Sequence, residues 1–277
     1  MNKNIIVTGG AGFIGGHLVD YLISKDYNVT VIDNFSGGNY KNPKAYYINT
    51  GIEDVDSKVF YFVDTVYHLS GVLDVEASKK DPTKYLNENS TFTYRLLDMC
   101  VKAEVRKFIY ASSCASAFPA SSPYALSKYL PEIYCDTYHK VFGIQTASLR
   151  FFNVYGDRMN HSGYKLVLSI FIDQYKNKQP LTVTNNGEQR RDFIHVNDIV
   201  SALFNVKDVH TNAEVFDVGS GTTHSILDIV AMFESDYEYI GERLEDEIAT
   251  ANIDKTKKVL NWKPIHKLKD FIECVKK

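Results

Sequence analysis

The chain has 277 residues, 44% of them apolar, with 31 basic side chains against 34 acidic ones and a formal net charge of −3. That balance describes a globular protein of one large or two interlocked domains and argues against nucleic acid as a partner. No apolar run approaches the ~18 residues of a membrane span, and Met1-Asn2-Lys3 leads straight into a strand-like segment, so a cytoplasmic protein without a membrane partner is expected.

The first strand candidate is NIIVT at 4 to 8, followed by GGAGFIGG and a helical pattern over 13 to 24. Strand-like runs recur at 28 to 32, 45 to 49, 65 to 69, 107 to 111 and 144 to 150. Helical spacing marks 83 to 103, with Tyr94, Leu97 and Val101 on one face, and 122 to 141. Alternation of this kind predicts an α/β fold, a doubly wound parallel sheet with helices on both faces. From about 153 the pattern is less regular, with one further strand candidate at 215 to 219 and short helices to the end. The expected division is a first domain of 1–152 plus part of 192–220, and a smaller second one of 153–191 and 221–277. Cys100, Cys114, Cys135 and Cys274 are scattered and form no C-x-x-C pair, which predicts reduced thiols and no metal site.

Five glycines within eight residues open the first helix, although each costs roughly 1 kcal/mol against alanine inside a helix. Gly9, Gly12 and Gly15 fit G-x-x-G-x-x-G between a strand and a helix. In that setting the first glycine makes the tight turn, the second lets backbone approach a pyrophosphate and the third packs helix on strand. Asp33, eighteen residues past Gly15 at the end of the second strand, is placed to bond the ribose hydroxyls of NAD and repel a 2′-phosphate. No arginine follows in that loop.

A second constellation carries chemistry. KFIYASSC ends a strand with Ser112 and Ser113, and SPYALSK sets Tyr124 and Lys128 four apart on one helix face. A phenol with its ordinary pKa of ~10 is a poor base at neutral pH. A lysine ammonium one turn away and a positive nicotinamide ring would lower that value, and a serine hydroxyl beside them can bond the same substrate oxygen.

Taken together, TGGAGFIG, HLSG (68 to 71), the Asn89 segment, ASS, SPYALSK, RFFNVYG (150 to 156), GEQRRDFIHVNDIV (187 to 200), VGSG (218 to 221) and VLNWKP (259 to 264) resemble the extended short-chain dehydrogenase/reductase family, in its nucleotide-sugar epimerase/dehydratase branch. The resemblance implies an NAD-binding Rossmann domain, a C-terminal domain for a nucleoside-diphosphate sugar, and a homodimer built from the helices near 83 to 103 and 122 to 141. It assigns Tyr124 as base, Lys128 as its modulator and ribose contact, and Ser113 as the hydroxyl partner. Asn89 resembles a buried asparagine near the cofactor and Phe151 an aromatic beside nicotinamide. Phe13, Ile14, Asn34, Ile52, Leu69 and Ser70 fall at further cofactor positions. Asn153, Arg191 and Arg243 resemble the diphosphate contacts, for which forked guanidinium bonds are suited. An ion pair with Asp192 is the competing reading of Arg191, and His195 and Asp198 are expected to orient a loop or cap the helix at 198.

Dehydratases and decarboxylases of the branch carry acidic residues just after the catalytic Ser or Thr, where this chain has Cys114 and Ala115. An ordinary thiol (pKa ~8.5) and an alanine cannot replace a carboxylic acid, which leaves reversible oxidation at sugar C4, a UDP-hexose or UDP-N-acetylhexosamine 4-epimerase. The Ser-Ser-Cys run also resembles 4-keto-sugar epimerase/reductases, and a catalytically silent NAD-binding regulator is the reading from another class. Only ten residues separate Ser113 from Tyr124, a shortened roof over the sugar.

Overall fold

The computed structural model describes residues 4–159, 166–242 and 250–277. The strands are β1 (Asn4–Thr8), β2 (Asn28–Asp33), β3 (Tyr46–Asn49), β4 (Thr65–His68), β5 (Lys107–Ser113), β6 (Gln145–Phe151), β7 (Asn153–Tyr155), β8 (Leu181–Val183), β9 (Arg190–His195), β10 (Glu214–Val218), β11 (Thr223–Ser225) and β12 (Tyr237–Tyr239). The helices are α1 (Phe13–Ser24), α2 (Val75–Lys80), α3 (Pro82–Tyr85), α4 (Phe92–Lys102), α5 (Pro123–Phe142), α6 (Val167–Lys176), α7 (Val196–Asp208), α8 (Ile226–Phe233), α9 (Asp254–Leu260) and α10 (Leu268–Val275).

Seven strands form one parallel sheet in the order β3-β2-β1-β4-β5-β6-β10. Because successive strand residues point to opposite faces, the sheet feeds two cores. Ile5, Val7, Val29 and Val31 pack with Leu18 of α1 and Leu203 of α7 on one face, while Ile6, Ile32 and Val66 pack with Leu96 of α4 and Cys135 of α5 on the other. Chain order reverses between β1 and β4, and an open sheet of this type leaves a crevice at the carboxyl ends of such neighbours. A third core joins Tyr155, Phe171, Leu181, Phe193, Ile229 and Ile272, around a three-stranded sheet (β11-β9-β7) and a two-stranded one (β12-β8).

The helix expected over 83 to 103 runs unbroken from α3 through α4 but widens into a π turn over Leu86–Thr91. The wider turn is docked on α5 by a specific exchange. Pro131 sits inside α5 and has no N–H for the Ser127 carbonyl one turn back, and Ser90 of the π turn donates to that carbonyl at 2.8 Å instead. Ser122 caps α5 by accepting from the Ala125 N–H at 3.1 Å, Pro123 follows at the first helical position, and Gly143 ends the helix at φ +76°. Among the described residues no helix is long and apolar enough to cross a membrane, and no three metal-ligating side chains group together.

Candidate active site

The loop after β1 meets the loop after β4 at the point of strand reversal. A Cβ on Gly9 (φ +71°) would stand 2.7 Å from the Ser70 nitrogen and 2.8 Å from the Leu69 carbonyl carbon, so Leu69 and Ser70 form one wall of this crevice. A Cβ on Gly15 would fall 2.1 Å from the Gly9 oxygen. Both glycines are required by packing. Gly12 differs, since its Cβ would meet only the Gly9 oxygen, at an ordinary 3.4 Å. Among the described residues nothing demands glycine there, whereas a phosphate approaching the backbone would. No side chain caps α1 and no acidic residue sits in its first turn, which begins Phe13-Ile14, so this helix start suits an anion.

Asp33 closes the adjacent side. Its carboxylate accepts from the Ala11 N–H at 2.9 Å and the Phe35 N–H at 2.7 Å, and burial raises its pKa against the pull of those bonds. Each oxygen keeps lone-pair capacity for a sugar hydroxyl. Asn34 is exposed and turns its side chain back to Ser36, and Ile52 is buried in the α4–α5 core.

Asn89, on the π turn, is 1% exposed and fully used. It accepts from the Val72 N–H at 2.8 Å and donates to the Val72 carbonyl and Ser127 Oγ. It thereby holds the 70–72 loop against α5. A Cβ on Gly71 would come 2.6 Å from Asn89 Oδ1 and 3.3 Å from Lys128 Nζ, which puts the lysine ammonium beside this loop. Lys128 donates to the Ala111 carbonyl at 3.1 Å, and burial pushes its pKa down to about 8. The same ammonium is thus anchored to β5 two residues before Ser113.

Ser113 is the last residue of β5, and its Oγ accepts from the Ala115 N–H at 3.3 Å at the start of a 3₁₀ turn over Cys114–Ala117. Tyr124 lies in the first turn of α5, 8% exposed, its backbone N–H given to Ser78 of α2 and its ring set edge-on to Tyr85. Phe151 pairs with Ser113 in the sheet register, at the same edge. Asn153 opens β7 and donates to the Asp192 carbonyl at 3.0 Å. Arg191 sits on β9, near enough to Cys114 to pull down a thiol that burial pushes up to about 11. The Asp192 carboxylate accepts from Ser220, Gly221 and Ala251. It is therefore engaged on the face of β9 away from Arg191, since neighbouring strand residues point opposite ways. Arg243 lies outside the described residues, as do residues 160–165.

His195 caps α7 through the Asn197 N–H, two residues earlier than expected, and stacks on His266 at 4.4 Å. Asp198 pins the backbone of Ile265 and His266. Sequence reasoning missed α2 with Ser78, the Tyr85 contact, and a buried group formed by Ser112, Ser116, Glu132 and Arg150. A signal for Glu132 was present, because Tyr124, Lys128 and Glu132 recur every four residues.

The chain is 34% identical to a putative UDP-glucose 4-epimerase of Methanocaldococcus jannaschii, over 98% of this chain and 96% of that one. It is similar to a UDP-N-acetylglucosamine 4-epimerase of Methanobrevibacter ruminantium, solved with UDP-N-acetylmuramic acid, at 32% identity and a TM-score of 0.91 over 99% and 97% of the two chains. It is also similar to a UDP-glucuronic acid 4-epimerase of Bacillus cereus, solved with UDP-glucuronic acid and NAD, at 30% identity and a TM-score of 0.88 over 98% and 96%. The model of the NAD dependent epimerase/dehydratase family matches residues 5–219, and the chain belongs to that family.

Proposed function

We propose that the protein is an NAD-dependent 4-epimerase of a UDP-hexose or UDP-N-acetylhexosamine. The observation that carries the reading is the pair Cys114-Ala115 directly after Ser113, beside Tyr124 and Lys128 at the strand reversal. Among the described residues, the carboxylate hydrogen-bonded to this turn, Glu132, is 5% exposed and committed to Ser112, Ser116 and Arg150, so it offers no second acid for an elimination. Burial pushes the Cys114 thiol up to about 11, which disfavours a cysteine base in the epimerase/reductase reading.

When bound, NAD accepts hydride from sugar C4 and returns it. The Gly9–Gly15 loop and the first turn of α1, with Phe13 and Ile14, hold its pyrophosphate, Asp33 and Asn34 its adenosine ribose, and Ile52, Leu69 and Ser70 its adenine side. Tyr124 takes the proton of the C4 hydroxyl as hydride leaves and gives it back afterwards. Lys128 favours the tyrosinate by its charge and bonds the nicotinamide ribose, and Ser113 holds the C4 oxygen. Asn89 fixes the loop that borders the ring and Phe151 packs beside it. Asn153, Arg191 and Arg243 grip the diphosphate while the ketone turns its other face.

In this reading residues 153–191 and 221–277 are the sugar-nucleotide unit, and two copies pair through α4 and α5, where Tyr94, Ile133, Val141 and Phe142 are 43–65% exposed. The ten-residue span from Ser113 to Tyr124 leaves space at C2, so a UDP-N-acetylhexosamine is turned over at least as well as UDP-glucose. Incubation of UDP-galactose and UDP-N-acetylgalactosamine with a trace of NAD tests the assignment. Many turnovers per cofactor support it, whereas stoichiometric oxidation of NADPH by a 4-keto sugar supports the epimerase/reductase.

A further inference from the structure

Glu132 lies one turn beyond Lys128 and two beyond Tyr124 on the same face of α5. Its carboxylate receives Arg150 twice, Nε on Oε1 at 2.9 Å and Nη2 on Oε2 at 2.7 Å. Ser112 Oγ and Ser116 Oγ add bonds of 2.5 and 2.6 Å to Oε1. A buried carboxylate is tolerated only when paired and bonded in this way.

Where those bonds land gives the group its meaning. Arg150 of β6 stands opposite Ser112 of β5 in the sheet register, and Ser112 immediately precedes Ser113. Ser116 lies 2.7 Å from the Ser113 carbonyl and 3.1 Å from Ser112 Oγ. A hydroxyl has one proton, so Ser116 donates either to that carbonyl, holding the Ser113 backbone, or to Glu132, tying the turn to the carboxylate, while Ser112 ties the residue before Ser113 to Glu132 in both cases. The carboxylate therefore joins α5, the end of β5, the 3₁₀ turn and β6 next to Ser113 in the chain.

We propose that Glu132, with Ser112, Ser116 and Arg150, acts as a clamp that positions Ser113 relative to Tyr124 and Lys128. The inference rests on the assignment of Ser113 to the C4 oxygen under the epimerase reading. Its physical basis is that displacement of a reacting group by about 1 Å costs on the order of 10² in rate.

Two variants test it. Glu132→Gln keeps length and removes charge. Ser116→Ala removes one hydroxyl and leaves the Glu132–Arg150 pair intact, so it serves if the first variant does not fold. In NAD-loaded protein, hydrogen exchange of peptides covering 113–118 should quicken about tenfold or more in Ser116→Ala, with the remaining sheet unchanged. With the UDP-sugar that wild type epimerises, kcat should fall about tenfold and KM stay within about twofold. Ser113→Ala/Ser116→Ala should be no slower than Ser113→Ala, because the clamp acts through Ser113. The proposal is overturned if exchange over 113–118 is unchanged in both folded variants, or if Ser116→Ala slows the Ser113→Ala enzyme by the same factor as wild type. If wild type epimerises no UDP-sugar, the functional reading fails, while the exchange result still decides the clamp.

Discussion

Two buried lysines are held at opposite ends of β5, and burial pushes both down to a pKa of about 8. Lys107 opens the strand, and its ammonium is wrapped by the carbonyls of Val206 and Val209 at the carboxyl end of α7, where a helix concentrates negative charge. Asp208 and Glu214 add favourable charge nearby. Among the described residues Lys128 has one hydrogen-bond acceptor, the Ala111 carbonyl, for three donors, and it borders Gly71 and Asn89 at the strand-reversal crevice. A perturbed lysine is thus no mark of a site by itself. What separates the two is how many of the donors the fold uses and which edge of the sheet they face.

The largest effect expected from this contrast is on turnover. Lys128→Met and Tyr124→Phe should each lower kcat on the order of 10²–10⁴ while the protein stays folded and binds NAD. Lys107→Met should keep kcat per folded molecule and lower unfolding stability by about 1–3 kcal/mol, since two helix-end carbonyls lose their donor. Chemical denaturation beside a progress curve checks both halves. An active Lys128→Met enzyme would break the contrast.

The glycines offer the same comparison. Gly15→Ala would drive a methyl into the Gly9 oxygen and should not yield folded protein, whereas Gly12→Ala should fold with wild-type melting and lose NAD affinity. Calorimetric titration of the folded variant reads the difference. Among carboxylates, Asp33→Asn should weaken NAD binding about ten- to a hundredfold, the value of a bond to a charged acceptor, and erase the preference for NAD over NADP. Wild type binding NADP as tightly would remove the Asp33 argument.

The smallest effect concerns pH. Burial holds His195 down to about 4 and His68 down to about 3, both below the ordinary 6.5. The unfolded chain therefore binds more protons as pH falls below ~6.5, and stability should drop by up to ~1.4 kcal/mol per pH unit for each histidine until the folded values are reached. His195→Asn keeps a capping side chain on α7 and should flatten this slope between pH 6.5 and 5 by about one proton's worth. An unchanged slope in urea titrations would mean that His195 is protonated in the native state.

Much of the large sheet was legible because its signals are local. The strand at 4 to 8 and the helix at 13 to 24 have the expected ends, since a strand of apolar residues runs into a glycine turn and then a helical pattern. The π turn was not legible, because the spaced apolar residues Tyr94, Leu97 and Val101 all lie beyond Leu86–Thr91. Strands of three residues such as β7, β8, β11 and β12 are too short to show a period of two. In the site, Gly9, Gly12, Gly15 and the Tyr124/Lys128 pair could be read from spacing along the chain. The Glu132–Arg150 pair, the Ser90 bond to a proline-freed carbonyl and the Asp192 hub depend on contacts 18 to 59 residues apart, which no local pattern encodes.

A 4-epimerase requires hydride to leave and return at C4 with no other carbon activated. Proton NMR of UDP-glucose and UDP-N-acetylglucosamine incubated with enzyme and NAD in heavy water tests this directly. The predicted result is a mixture of C4 epimers, the same from either direction, with no deuterium in the sugar ring. Deuterium entering at C3 or C5, or no C4 epimer from any UDP-sugar, would contradict it.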